Sequence, residues 1–264
     1  MLTIVKRSCV LPLLAVGLAA LLLAGCGKEP ENALERVRAT GEISFAMSGG
    51  YPPFNFYNEN NELVGFDVDV AREVAKRLGV ALKPVTTEWS GIIEGLRAGA
   101  YDGILGSMAI TDERLKVVDF SVPYYYSGAQ LLVREDVSFA DPAELAGRTV
   151  GLVTGTTFEG DAKALGAGEI RLYKDDTQTL TELNSGVVDA VITDRVVGIG
   201  AMNSGKFAIR LLGGPLRSED IGVAFRKDDG ALRDAVSAAL AAMHQDGTLT
   251  AFSRQWLGVD VSVR

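Results

Sequence analysis

Two cysteines and one histidine carry all the thiol and imidazole chemistry available to this 264-residue chain. Both cysteines, Cys9 and Cys26, fall at the N-terminal end. A body beginning at or after Cys26 therefore has no internal disulfide, no thiolate zinc site and no C-x-x-C redox pair. The lone His244 excludes a multi-histidine metal centre, and with no G-x-S-x-G elbow in the chain it has no nucleophile motif to serve in a triad. Positive charge is also short. Twenty-six Lys and Arg face 34 Asp and Glu, a formal net charge of -8, and no basic stripe offers itself to DNA or RNA. Between Gly155 and Lys163, Gly160 is followed by Asp161 rather than by Lys-Ser/Thr, so no phosphate-cradling loop is encoded.

What is present divides into two parts. Residues 1–25 carry only Lys6 and Arg7 as charges, followed by the apolar run Val10 to Ala24, the pattern of a secretion signal. The run is short for a span of about 20 residues, and it contains Pro12. Its end, Leu23-Ala24-Gly25-Cys26, resembles a bacterial lipobox. That likeness implies cleavage before Cys26, acylation of its thiol and amino terminus, and a polar tether over 26–32. Several acyl chains anchor a protein stably where one alone is marginal.

From Ala33 onward short apolar runs alternate with amphipathic stretches, which predicts an α/β fold. Strands are expected at Ile43–Met47, Ala81–Val85, Tyr101–Leu105, Ala129–Val133, Thr149–Leu152, Ile170–Tyr173, Ala190–Thr193 and Ile221–Arg226. Helices are expected at Asp69–Leu78, Trp89–Ala98, Pro142–Leu145, Thr156–Leu165, Thr177–Ser185, Ala231–His244 and Leu249–Trp256. The pattern restarts after Tyr124, which implies two α/β lobes. His244 falls in the last turn of its helix, an ordinary place for a helix-end cation.

Ordered motifs then carry a likeness. They are Tyr51-Pro52-Pro53-Phe54, Gly65-Phe66-Asp67-Val68-Asp69-Val70-Ala71, the run from Tyr101 through Ser107-Met108-Ala109-Ile110-Thr111-Asp112-Glu113-Arg114, and Asp119-Phe120-Ser121-Val122-Pro123-Tyr124-Tyr125. Further on come Leu145 to Gly151 with Gly155-Thr156-Thr157, Gly186 to Asp194, and Asp246-Gly247-Thr248 before Trp256. Together they resemble the type 3 extracellular solute-binding proteins that serve polar amino acid ABC importers, from about Gly41 to Gly258. The resemblance implies a periplasmic-binding-protein-like type II fold, two α/β lobes joined by two crossover strands and closing over a ligand cleft. The first lobe would comprise 33–126 plus 221–264 and the second 127–220. The implied partners are a free L-amino acid, a permease and its ATPase subunit, and the membrane through Cys26. A monomer with no cofactor and no nucleic acid is expected.

A buried zwitterion needs a cation for its carboxylate and an anion for its ammonium. Arg114 supplies a two-point fork that lysine cannot, behind a Thr111-Asp112-Glu113 helix start. Asp194, just after an apolar strand, is the expected ammonium partner, its alternative being the N-cap of the next helix. Ser107, Met108 and Ala109 would present backbone groups; Ala109 stands where relatives often carry Thr or Ser. Tyr51 and Trp89 are expected as aromatic walls. Thr156 and Thr157 would open a helix with free N–H groups toward the carboxylate, with Val153 at the border. Ser48 stands where relatives that take basic or amide side chains often place aspartate, which argues against arginine or lysine without removing them and leaves a polar uncharged or aromatic amino acid equally open. Asp67 or Glu159 are substitutes for that charge, although Asp67-Val68-Asp69 also reads as a turn and helix start. Two rival readings belong to the same fold: a prephenate or arogenate dehydratase with Glu159 as acid, and a ligand-sensing lipoprotein.

Overall fold

The computed structural model describes residues 31–264. The expected leader, Cys26 and most of the 26–32 tether lie outside the described residues. Within them the strands are β1 (Glu42–Met47), β2 (Gly50–Tyr51), β3 (Asn55–Tyr57), β4 (Leu63–Val64), β5 (Ala81–Thr86) and β6 (Gly103–Ala109). They continue with β7 (Asp119–Phe120), β8 (Tyr125–Arg134), β9 (Thr149–Val153), β10 (Glu169–Tyr173), β11 (Ala190–Asp194) and β12 (Ile209–Phe225). Nine of these form one sheet in the order β10-β9-β11-β8-β12-β6-β1-β5, with β7 beside β12, while β2-β3-β4 make a separate small sheet.

Alternation of short strands with helices dictates parallel pairing at both ends, because each crossover helix returns the chain to the same sheet edge. So β1 lies parallel to β5 and β6, and β9 parallel to β10 and β11. The centre differs. There β8 and β12 run antiparallel, from Tyr125 opposite Ile221 to Ala129 opposite Arg217, and again from Leu131 opposite Leu212 outward. This pair carries the chain from the first lobe into the second and back. Gly128 sits at the middle of it, where a β-carbon would lie 2.2 Å from the Arg217 carbonyl oxygen, so only glycine lets the strands approach this closely.

Each side of the pair has its own core. On the first-lobe side Ile43, Phe45, Phe66, Val70, Val74, Phe225 and Leu240 pack together, and a second cluster around Ala46, Ile92, Leu96 and Ile104 covers the opposite face. On the other side Leu131, Val150, Leu152, Ile192 and Leu212 form one cluster, and Leu132, Leu180, Leu183 and Val191 another. Burial on both faces explains why these strands read as continuous apolar runs rather than as alternation.

Most expected elements are present with shifted ends. The helix expected over Trp89–Ala98 is a 3-10 turn at Trp89–Gly91 followed by a helix at Ile92–Arg97. The helix expected from Thr156 begins at Phe158, and the strand expected at Ile221–Arg226 is the end of the 17-residue β12. The sequence reading missed the helix Ala33–Thr40 and the small β2-β3-β4 sheet, and it implied the helix Arg195–Asn203 only through the capping alternative at Asp194. Among the described residues no helix is long and apolar enough to cross a membrane.

Candidate functional site

Strand ends and the loops that follow them define a cleft between the lobes, the usual ligand edge of an α/β sheet. From the first lobe come Ser48, Gly50, Tyr51, Trp89, Gly106 and Ser107; from the second come Val153, Lys174, Asp175 and Asp176. The two walls are close together. A β-carbon at Gly50 would sit 3.5 Å from Cβ of Asp175, and one at Gly155 would sit 3.6 Å from Cα of Ser90. Lys174 Nζ lies 3.7 Å from Glu88 Oε1 across the opening.

The first-lobe wall is built on a buried carboxylate. Asp67, in the first turn of the helix Phe66–Leu78, accepts from Tyr124 Oη at 2.7 Å, Asn55 Nδ2 at 2.7 Å and Ser107 Oγ at 2.9 Å. Asn55 Oδ1 in turn accepts from Ser48 Oγ and from the Gly49 N–H. Ser107 has φ of 61°, an uncommon conformation for a non-glycine residue. It is held there because its N–H also donates to the Tyr124 hydroxyl at 2.9 Å. One carboxylate thus fixes the loops after β1 and within β6. Burial pushes the Asp67 carboxyl up to about 6, against the pull of its three donors. Asp67 is therefore part of the scaffold and does not stand in for the missing charge at Ser48.

Arg114 lies in the short helix Asp112–Leu115, whose N-cap Thr111 accepts from the Arg114 N–H as the motif predicts. Its Nη1 donates to the Ala109 carbonyl at 2.8 Å, and its guanidinium carbon stands 5.7 Å from the centre of the Trp89 ring. Among the described residues it has no carboxylate partner, and burial lowers its pKa. Its Nη2 makes a longer contact with the Gly155 carbonyl of the second lobe at 3.4 Å, so both partners are neutral carbonyls, and a guanidinium has five N–H donors with which to meet an anion as well. Tyr51 stacks on Phe54 with ring centres 5.2 Å apart. Met108 is different: its side chain is fully buried among Ala46, Ile92, Leu96 and Ile104, so only its backbone is placed to contribute.

On the second lobe Asp194 ends β11 and caps the helix Arg195–Asn203, accepting from the Val196 N–H at 2.7 Å. The capping alternative is thus real, and it leaves the carboxylate 2% exposed with no cation beside it among the described residues. Burial pushes it up to about 7, opposed by the Ser127 hydroxyl and the Val196 N–H and helped by Glu219. Glu219 itself is satisfied by Arg217 at 2.7 Å and by the Thr157 hydroxyl at 2.6 Å. The free helix end expected at Thr156 and Thr157 is partly spoken for. Thr156 donates through both N–H and hydroxyl to the Val153 carbonyl, and the Gly155 N–H donates to Glu159 Oε1. Glu159 thus accepts a hydrogen bond from its own loop.

The sequence reading missed Asn55, Tyr124 and the Lys174-Asp175-Asp176 segment. The last was detectable in principle, as it immediately follows the strand Glu169–Tyr173, where a sheet presents its ligand edge. No group of three His, Cys, Asp or Glu suited to a metal ion occurs among the described residues.

Comparison with known proteins agrees with this geometry. Residues 43–259 match the family model described as bacterial extracellular solute-binding proteins, family 3. The L-cystine-binding protein TcyJ of Escherichia coli (strain K12) is 34% identical over 253 residues, 93% of this chain and 94% of that protein. The L-arginine-binding protein of Pseudomonas aeruginosa is 32% identical over 230 residues, covering 83% and 89%. A crystal structure of an ancestral amino acid-binding protein, described as a precursor of cyclohexadienyl dehydratase, superposes with a TM-score of 0.80 at 33% identity, covering 85% of this chain and 99% of that one. A two-lobed α/β fold, a cleft lined from both lobes and a family match across nearly the whole described body place this chain among the bacterial extracellular solute-binding proteins of family 3.

Proposed function

We propose that the protein is the substrate-binding component of an amino acid ABC importer. It captures one free L-amino acid by hinge closure and delivers it to a membrane permease powered by an ATPase subunit, without transforming it. The carrying observation is a pair of incomplete ion pairs: among the described residues Arg114 is a cation without a carboxylate in contact, and Asp194 is a buried carboxylate without a cation. Each charge is costly alone, and a zwitterion brought between the lobes satisfies both. Ser107 and the Ala109 backbone flank Arg114, Tyr51 and Trp89 supply aromatic walls, and Ser48 with Val153 borders the side-chain end. The named ligands of the relatives, L-cystine and L-arginine, support an amino acid as the ligand class.

The lobes are taken as 33–126 plus 221–264 and 127–220, on the support of the β8–β12 crossing at Tyr125–Ala129 and Arg217–Ile221. The protein works outside the cytoplasm, held to the membrane by acyl chains on Cys26 at the end of the 26–32 tether. Calorimetry on protein stripped of ligand by unfolding and refolding tests the reading across the common amino acids. Micromolar or tighter binding of at least one L-amino acid is expected, and heat from none of them overturns it.

A further inference from the structure

The cleft holds more negative charge than a simple zwitterion can use. If Arg114 takes the ligand carboxylate and Asp194 its α-ammonium, two further carboxylates, Asp175 and Asp176, line the cavity with Ser48 and Gly50. They are not equivalent. Asp175 caps the helix Asp176–Ser185, its Oδ1 accepting from the Gln178 N–H at 2.8 Å. Asp176 is only 6% exposed, and its one side-chain donor is the Thr193 hydroxyl, which binds Oδ1. No side chain among the described residues donates to its Oδ2.

Of the cations near this cavity, Lys174 is part of its lining, but its side chain is 67% exposed and stands opposite Glu88 on the other lobe. Arg217 is bound to Asp161 and Glu219. A buried carboxylate with a single hydroxyl donor and no cation is unfavourable in the empty protein, and it becomes favourable when a cation is brought to it and water is excluded. The first lobe adds no compensating charge here: it presents the Ser48 hydroxyl and the glycines 49 and 50.

We infer that the cleft selects an α-amino acid bearing a second cationic group at its distal end, received by Asp176 with Asp175 adding to the field from the second lobe. This rests on the amino acid-binding reading above. The distal group is an ammonium or a guanidinium; L-lysine, L-arginine and L-cystine, whose second ammonium lies at a similar reach, are the probes that separate its possible sources. L-citrulline, the uncharged counterpart of L-arginine, is the control. An Asp176→Asn substitution keeps the volume and the Thr193 contact while removing the charge. Asp175→Asn keeps the helix cap.

Calorimetry on the refolded protein is expected to find that the tightest ligand is one of the three cationic probes. Asp176→Asn should weaken that ligand by about 10- to 100-fold, the value of a charge-assisted hydrogen bond, and should narrow the preference for L-arginine over L-citrulline if L-arginine binds. Circular dichroism and thermal melting of the empty variants establish that they fold, and Asp175→Asn should give the same direction with a smaller loss. Stronger binding of a neutral or acidic amino acid than of all three probes overturns this inference while leaving the proposed function standing. So does unchanged affinity in folded Asp176→Asn. Failure of every amino acid to bind overturns both.

Discussion

Both walls of the cleft contain a buried aspartate, and the two are used in opposite ways. Asp67 on the first lobe receives three hydrogen bonds, from Tyr124, Asn55 and Ser107, so three of its roughly four acceptor sites are filled from within the protein. Asp194 on the second lobe is as deeply buried, but among the described residues the one hydrogen bond its carboxylate accepts is the helix-capping Val196 N–H. Burial alone therefore does not mark a ligand-binding carboxylate. The number of protein donors already committed to it does, because a largely satisfied carboxylate is structure and an under-satisfied one is a vacancy for a cation.

The sharpest way to break this contrast is at the cation that faces both walls. Arg114→Ala should cost about 100-fold or more in affinity, since it removes a two-point charged contact, with little change in the melting of the empty protein. Calorimetry and thermal melting together would show it, and unchanged affinity would remove Arg114 from the site. Next, Asp194→Asn should lower affinity by about 10- to 100-fold while leaving the empty protein as stable or more so. Asp67→Asn should do the reverse, costing about 1–3 kcal/mol of stability through mismatched donors. If the two variants behave alike in paired urea titrations and binding assays, the distinction between scaffold and receptor fails.

Acidity offers a third lever. Burial raises Asp67 and Asp176 to about 6 and Asp194 to about 7, against about 3.9 in an unfolded chain. The native state therefore holds these protons more tightly. Their contribution to stability is fully present below about pH 4 and is lost as pH rises through about 6 to 7. Ligand affinity should run the other way, because an ammonium needs the ionised carboxylate, and it should fall as pH drops below about 7. Affinity that stays flat between about pH 8 and pH 5 would mean that Asp194 is ionised throughout. A smaller effect is expected from Tyr124→Phe, which removes one donor to Asp67 and the acceptor for the Ser107 N–H, at about 1–2 kcal/mol in denaturant unfolding. The smallest belongs to Lys174→Ala, since an exposed pair such as Lys174–Glu88 is worth at most about 1 kcal/mol; affinity should shift by less than about fivefold.

Legibility followed physical cause. The parallel strands could be read from the sequence because burial on both faces forces continuous apolar runs such as Ala190–Ile192. Arg114 could be named because it closes the Thr111-Asp112-Glu113-Arg114 motif that carries the family resemblance; the Thr111 cap by itself reads equally well as the start of a surface helix. The β2-β3-β4 sheet escaped because segments of two or three residues show no period, and β12 was read only in its last part because Gly213, Gly214 and Pro215 interrupt the pattern at the register shift between Leu212 and Arg217. Asp176 was hidden for another reason. Asp175-Asp176-Thr177 has the composition of any helix start, and only the fold shows that both carboxylates line the cavity, with Asp175 capping the helix and Asp176 buried beside Thr193. Asp67 was ambiguous on the same grounds, since its three donors come from positions 12, 40 and 57 residues away.

The antiparallel crossing of β8 and β12 bears on what a membrane partner can sense. Two strands hydrogen-bonded from Tyr125–Ile221 to Ala129–Arg217 form a ribbon that resists stretching and shearing but twists and bends with little loss of bonding. Gly128, pressed against the Arg217 carbonyl, keeps the ribbon tight at its centre. In the hinge closure proposed above, occupancy of the cleft would be converted into essentially one coordinate, the angle between the lobes. A permease that grips both lobes can read a full or empty cargo hold from that angle alone, without touching the amino acid inside.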